Sequence, residues 1–204
     1  TSNFSHLFCG INTHFAAPDN AGFTSRQFVE FEKALEIVKT AGFVDVLCHA
    51  ANTGGALASK NYHLDAVRIG IGLYGLWPSI LSKSQSAKPG SRLKIKLQPV
   101  LSWRSIISEV KELKKGERIG YDLTESVARP TKMAIVPIGY WHGFDRGLSS
   151  KGEVLIRGKR AKVLGRVSMD LIAIDATGIS CKAGDRITLL GKDGKDEISA
   201  EEMA

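Results

Sequence analysis

Apolar positions follow two different rhythms along this chain of 204 residues. Up to about residue 78, short apolar runs alternate with a stretch of helical period. Leu7-Phe8-Cys9-Gly10-Ile11 predicts a buried strand. Phe28, Phe31, Leu35 and Val38 then recur at helical spacing and give one apolar face over residues 24–41. Thr24 with Gln27 reads as the capping box of that helix, and Gly42 as the residue past its end. Val44-Asp45-Val46-Leu47-Cys48 predicts a second strand, residues 54–60 a short helix, and the run AVRIGIGLY over 66–74 a third strand. Apolar strands alternating with helices imply parallel βαβ units whose strands are buried on both faces.

Residues 79–92 turn to Ser, Lys, Pro and Gly, the composition of a linker. Beyond them the runs are of strand length, at 99–110, 132–139, 153–157, 161–175 and 185–190. Turn signals separate them, among them Arg157-Gly158-Lys159 and Asp193-Gly194, which predicts an antiparallel β domain. The expected fold class is α/β plus all-β, with one domain over 1–90 and a second over 91–204. Three βα units are too few for a closed barrel, and there is no initiator Met. The capping box Ser199-Ala200-Glu201-Glu202 opens a helix that only two residues follow. The chain is therefore expected to be part of a larger protein.

Composition narrows the class. An apolar content of 43% supports a real core. No run of eighteen apolar residues occurs, so no membrane-spanning helix is expected. Cys9, Cys48 and Cys181 lack metal-ligand spacing; they read as reduced, buried thiols of a cytoplasmic protein, with no metal site. A net charge of +7 admits nucleic acid, an acidic membrane or an anionic ligand. The lysines are scattered, however, as in Lys94, Lys96, Lys111, Lys114, Lys115, Lys159 and Lys162. Alternating and turn positions of this kind suit solvated strand faces, and no nucleic-acid partner is expected.

The chemistry gathers where the strands of the first domain end: Thr13-His14-Phe15-Ala16, His49 to Gly55, and Arg68 to Gly75. In an α/β barrel such C-terminal strand ends form the active face. Thr53, Gly54-Gly55 and Gly70-Ile71 together would make a phosphate cradle. Singly, each has a plainer reading. His14 suits a satisfied core histidine, and the glycines suit bulges. Arg68, in an apolar strand, needs a buried partner, for which an internal salt bridge is the default.

In combination these segments are more specific. H-A-A-N-T at 49–53 and R-I-G-I-G-L-Y-G at 68–75 stand in the order of the alanine racemase signature, with T-H-F-A at 13–16 upstream. Gly120-Tyr121-Asp122, Pro137-Ile138-Gly139-Tyr140 and Gly165-Arg166-Val167-Ser168-Met169-Asp170 follow in the same order. Over essentially its whole length the chain resembles the C-terminal half of the alanine racemase family. The resemblance implies the last three βα units of a (β/α)8 barrel followed by an antiparallel β-barrel-like domain. It implies pyridoxal 5'-phosphate as cofactor, and racemisation of L- and D-alanine to supply D-alanine for peptidoglycan. It also implies a homodimer whose active site is shared between subunits.

Carried over residue by residue, the family pattern gives Arg68 the pyridine nitrogen of the cofactor and His49 the orientation of that arginine. Thr53, Gly70 and Ile71 would hold the phosphate, and His14 would lie beside the ring. Tyr121 would be one of two catalytic bases. Met169 with Asp170 would lie at the substrate carboxylate and Tyr140 at the mouth of the site. The cofactor lysine, which is the other base, matches no lysine here; Lys39, for example, suits the last turn of its helix. A substrate-side arginine and a phosphate-binding tyrosine of the family also fall outside residues 1–204. The chain by itself is thus expected to be inactive and marginally folded. One departure lies inside it: Trp141-His142-Gly143 stands where the family usually has Asp before the glycine.

Arginine keeps its proton, so the pyridine nitrogen facing it stays unprotonated and the electron sink is weakened. Fast return of the proton to Cα is then favoured over transamination. A tyrosine base needs its pKa lowered from about 10 to work near neutral pH. Other classes remain: a serine racemase, a same-fold amino-acid decarboxylase, which would place an acidic residue where Arg68 stands, and a non-catalytic module for anionic ligands.

Overall fold

The computed structural model describes residues 8–79, 82–84 and 95–204. Leu7, most of the linker at 79–92 and the domain boundary expected at 90/91 lie outside the described residues. The chain divides into two compact units, Thr1–Val100 and Leu101–Ala204.

The first unit is a three-stranded parallel sheet with helices between its strands. Strand β1 (Gly10–Asn12) leads to α1 (Ala21–Thr40), β2 (Leu47–Asn52), α2 (Thr53–Ala58) and β3 (Ala66–Arg68). Strand order is β1-β2-β3, with Gly10 opposite Leu47 and Asn52 opposite Arg68. The parallel βαβ units match expectation; their burial does not. β1 and β3 are both sheet edges, and Phe8, Leu47 and Val67 are exposed. Cys9 is exposed and Cys48 half-buried, although all three thiols are free.

Helix α1 begins three residues earlier than predicted. Asn20 caps it by accepting from Phe23 N at 3.0 Å, whereas Thr24 Oγ1 donates back to Ala17 O inside the first turn. Its end follows the pattern: Gly42 N donates to Lys39 O and Phe43 N to Val38 O, the paired bonds of a Schellman motif. Phe31 and Leu35 bury the apolar face against Phe15, Ala50 and Ala51. Tyr62 meets Phe15 and Phe28 edge-on, at 4.9 and 5.0 Å between ring centroids. The second strand starts at Leu47 rather than Val44, because its partner β1 starts only at Gly10. The third stops at Arg68, after which Ile71–Tyr74 coil into a 3-10 turn.

The second unit is antiparallel throughout, as its turn spacing predicts. After β4 (Trp103–Ile106) come β5 (Glu109–Leu113), β6 (Arg118–Ile119), β7 (Glu125–Ser126) and β8 (Thr131–Val136). Then follow β9 (Glu153–Ile156), β10 (Lys159–Leu164), β11 (Ile172–Asp175), β12 (Arg186–Asp193), β13 (Asp196–Ile198) and α3 (Ala200–Met203). The main sheet runs β13-β12-β9-β10-β11-β8-β5, with β4 added on β12. Val136, Phe144, Val154, Ile156, Val163, Ile172, Ile174, Ile187 and Leu189 are fully buried at its centre. The β9–β10 hairpin turns on Arg157 and Gly158, both at positive φ, the primed two-residue turn that the sequence signals. Ser199 caps α3 by accepting from Glu202 N, as expected.

Two long predicted strands are each divided. The run 99–110 breaks at Ile107-Ser108 into β4 and β5. The run 161–175 breaks into β10 and β11 around the segment Gly165–Leu171, where polar residues interrupt the alternation.

Candidate active site

Within the first unit, the polar residues singled out from the sequence converge at the C-terminal ends of β1, β2 and β3. Arg68, the last residue of β3, is their centre. Its guanidinium donates to Thr13 O at 2.7 Å, Ala50 O at 3.2 Å and His49 O at 3.3 Å. It also contacts Nδ1 of His49, and Nδ1 of His14 at 3.2 Å. Among the described residues no carboxylate pairs with it, so the internal salt bridge that is the default for such an arginine is not what holds it. Arginine offers only donors, so each histidine presents Nδ1 as an acceptor, with the proton on Nε2. His14 Nε2 lies 3.4 Å from the Asn52 amide nitrogen, a second donor. The charged donor at the shorter distance decides the tautomer, and the Asn52 amide donates to Phe15 O at 3.2 Å.

Asn52 also caps α2 by accepting from Gly55 N at 3.0 Å. This fixes Thr53, buried at the first turn. Its hydroxyl accepts from Gly70 N at 3.1 Å and more weakly from Gly72 N at 3.4 Å. A side chain on Gly72 would bring its Cβ within 2.8 Å of Thr53 Cγ2, so only glycine allows this approach. Gly70, by contrast, faces open space, and Ile71 beside it is exposed. A hydroxyl and backbone amides therefore border a free volume a few residues from an arginine held without an anion. Such a donor set suits an anionic, phosphate-bearing ligand.

Within the second unit, the loop between β10 and β11 gathers the remaining candidates. Tyr140 N donates to Ser168 O at 3.0 Å and Trp141 N to Met169 O at 2.9 Å. A Cβ on Gly139 would overlap Ser168 O, so this zipper requires glycine there. Tyr140, Met169 and Asp170 are all exposed beside it. Arg146 stacks over the Tyr140 ring, 5.9 Å from its centroid. Tyr121, 68% exposed, opens the turn Tyr121–Leu123, whose Asp122 pairs with Arg166 of the same β10–β11 loop at 2.5 Å. Glu125 adds a second tie, accepting from Ser150 Oγ at 2.5 Å and Gly165 N at 3.4 Å.

The exchange at His142 keeps a local function. Its Nδ1 accepts from Gly139 N at 3.2 Å and closes the 3-10 turn Tyr140–His142 as a side-chain oxygen would. Sequence reasoning assigns no role to Thr13, Asn52, Asp122 or Arg166. All four sit inside the family motifs, and that placement is the one signal by which they could have been found.

Known proteins with the same pattern follow both units. Residues 5–78 match the family model for the alanine racemase N-terminal domain, and residues 100–204 that for the alanine racemase C-terminal domain. The alanine racemase of Leptospira interrogans is 38% identical over 199 residues, 96% of this chain and 51% of that protein. The crystal structure of alanine racemase from Bacillus anthracis, with bound L-Ala-P, superposes with a TM-score of 0.85 at 34% identity, over 96% of this chain and 49% of its own. That from Bartonella henselae, with covalently bound pyridoxal phosphate, gives 0.76 at 27% identity, over 95% of this chain and 49% of its own. The chain thus spans about half the length of the relatives it matches.

Proposed function

The chain belongs to the alanine racemase family, and we propose that it forms part of an enzyme interconverting L- and D-alanine with pyridoxal 5'-phosphate. Its product would supply D-alanine for peptidoglycan in the cytoplasm. The first unit then contributes the last three βα units of a (β/α)8 barrel, and the second the β domain. The observation that carries this reading is Arg68, half-buried and held by carbonyls and two histidine Nδ1 atoms, with a donor-only group presented where no anion compensates it.

The residues present fit the cofactor: Thr53 Oγ1 accepts from the Gly70 amide beside open space, where Thr53, Gly70 and Ile71 would hold a phosphate, and Arg68 would supply a donor for a pyridine nitrogen. When bound, pyridoxal 5'-phosphate supplies the electron sink that makes Cα of the amino acid acidic. Arg68, a donor-only group, would leave the ring nitrogen without a proton. His49 and His14 hold the guanidinium through their Nδ1 atoms, and His14 would lie beside the ring. Tyr121 takes or returns the proton at one face of Cα, and Tyr140, Met169 and Asp170 contact the amino acid. We assign the second base to a residue outside 1–204 and the meeting of Tyr121 with the cofactor to a homodimer.

The test is a hybrid in which residues 8–204 replace the matching half of the Bacillus anthracis enzyme. It should racemise alanine, and Tyr121→Phe should lower turnover by about 10²–10⁴-fold, unequally in the two directions, with cofactor absorbance unchanged. A folded, cofactor-bearing hybrid that racemises neither enantiomer overturns the proposal, and undiminished turnover in Tyr121→Phe overturns the base.

A further inference from the structure

The turn that carries Tyr121 is held by polar ties rather than by packing. Asp122 and Leu123 both take left-handed backbone, with φ of 57° and 52°. That conformation is disfavoured for a residue bearing Cβ, and leucine, unlike aspartate, has no side-chain hydrogen bond to offset it. Tyr121 and Leu123 are both exposed, so no core contact compensates. Instead Arg166 Nη1 meets Asp122 Oδ2 at 2.5 Å, and Arg118 Nη1 donates to Leu123 O at 3.2 Å. Both arginines line the hollow formed over Ile119, Met133 and Leu164, which gives their stems a fixed base. Asp122 is 64% exposed and Arg166 39%, and an ion pair so exposed adds little to overall stability. Its effect is therefore local: it selects the turn.

We propose that the Asp122–Arg166 pair is a positioning device for Tyr121, fixing the left-handed turn and with it the direction from which the phenol oxygen meets the Cα proton. This rests on the reading of Tyr121 as a base. Arg166 belongs to the loop that also holds Tyr140 and Met169 through backbone bonds, so the same pair sets Tyr121 in register with those residues.

In the hybrid enzyme, Asp122→Asn and Arg166→Gln should each lower kcat by about 10–100-fold, with KM and melting temperature nearly unchanged. Reversing the pair, Asp122→Arg with Arg166→Asp, should recover part of that loss. In a Tyr121→Phe background the same substitutions should cause no further loss, because their route to the reaction is already gone. Additive losses in that background, or losses confined to KM, overturn the proposal. Hydrogen exchange on the 204-residue chain gives a readout without catalysis. Amides 120–123 should lose protection in Asp122→Asn while β8 keeps its own, and unchanged exchange in the turn overturns the clamp. A turn that loosens as expected, beside an inactive parent hybrid, overturns instead the racemase reading on which the proposal rests.

Discussion

The two units expose apolar surface in different places, and the contrast tells what each lacks. In the first, exposed apolar side chains run along the regular elements: Ile37 on α1, Leu47 at the start of β2, Val67 on β3. Its sheet has three strands and two open edges. In the second, the strands close over their own core, and apart from Leu101 and Ile106 the exposed apolar groups sit in three loops. Those are Tyr121 and Leu123, Tyr140 and Trp141, and Met169 and Leu171. The first unit is thus ordered around a hydrogen-bonded arginine and short of hydrophobic cover. The second is stable in its core and presents its chemistry at the rim.

Core truncation tests this contrast with the largest effect. Phe144, fully buried among β-domain strands and 6.1 Å from the Trp103 ring, should cost about 3–5 kcal/mol when changed to alanine. Leu35→Ala on α1 should cost only about 2 kcal/mol, since its small cluster leaves room to relax. Urea unfolding followed by Trp fluorescence and by far-UV circular dichroism separates the two. Equal losses would mean that the first unit is as well packed as the second.

Arginine substitution should give the reverse ranking. Arg68→Gln removes a charged donor from three carbonyls and two histidines and should destabilise by about 2–3 kcal/mol. Arg166→Gln breaks one exposed pair and should stay within about 0.5 kcal/mol. If the two were alike in thermal melts, the polar organisation of the first unit would be incidental.

A smaller effect should appear inside the β-domain core. Thr188 is 1% exposed on β12, and its hydroxyl has no hydrogen-bond partner among the described residues. Thr188→Val keeps the shape and removes the unpaired group, and should raise stability by about 1–2 kcal/mol. A destabilised variant would mean that the hydroxyl makes a bond in solution.

How far these features were legible differs by scale. The order of parallel units then antiparallel strands followed from periodicity, because alternation and helical period are properties of single segments. Element ends depended on partners. Val44-Asp45-Val46 alternates like a strand, yet β1 supplies no neighbour before Gly10. Thr24 looks like a cap, yet Asn20 takes the role because two small residues, Ala21 and Gly22, lengthen the helix without adding to its apolar stripe. The convergence of Arg68, His49 and His14 was legible because each belongs to a strand of one sheet or follows it closely: Arg68 ends β3, His49 lies within β2 and His14 comes two residues after β1. The Asp122–Arg166 pair was not, since nothing in either motif alone tells that the two loops meet.

The last contrast is between two arginines and is probed by pH. Arg160 on β10 gathers carboxylates: Asp196 at 2.9 Å, Glu153 at 2.8 Å, and Glu202, so that strands β9, β10 and β13 and helix α3 share one cation. Hydrogen bonds from Arg160 first, and then from Glu197 N, hold the Asp196 carboxyl below its ordinary value. A carboxyl lowered in the folded state contributes stability that is present above its unfolded value and is lost as pH falls through the folded one. Acidification should therefore fray β13 and α3 while the β8 core persists, and the effect should be modest because Asp196 stays partly open to solvent. Amide exchange at Glu197, Ile198 and Glu202 across the acid range provides the measure, with Asp196→Asn as the control that should flatten the profile. An equally steep profile in that variant would overturn the role of Asp196 in the fraying. The three carbonyls that face Arg68 do not titrate, so its backbone contacts should survive the same acid step.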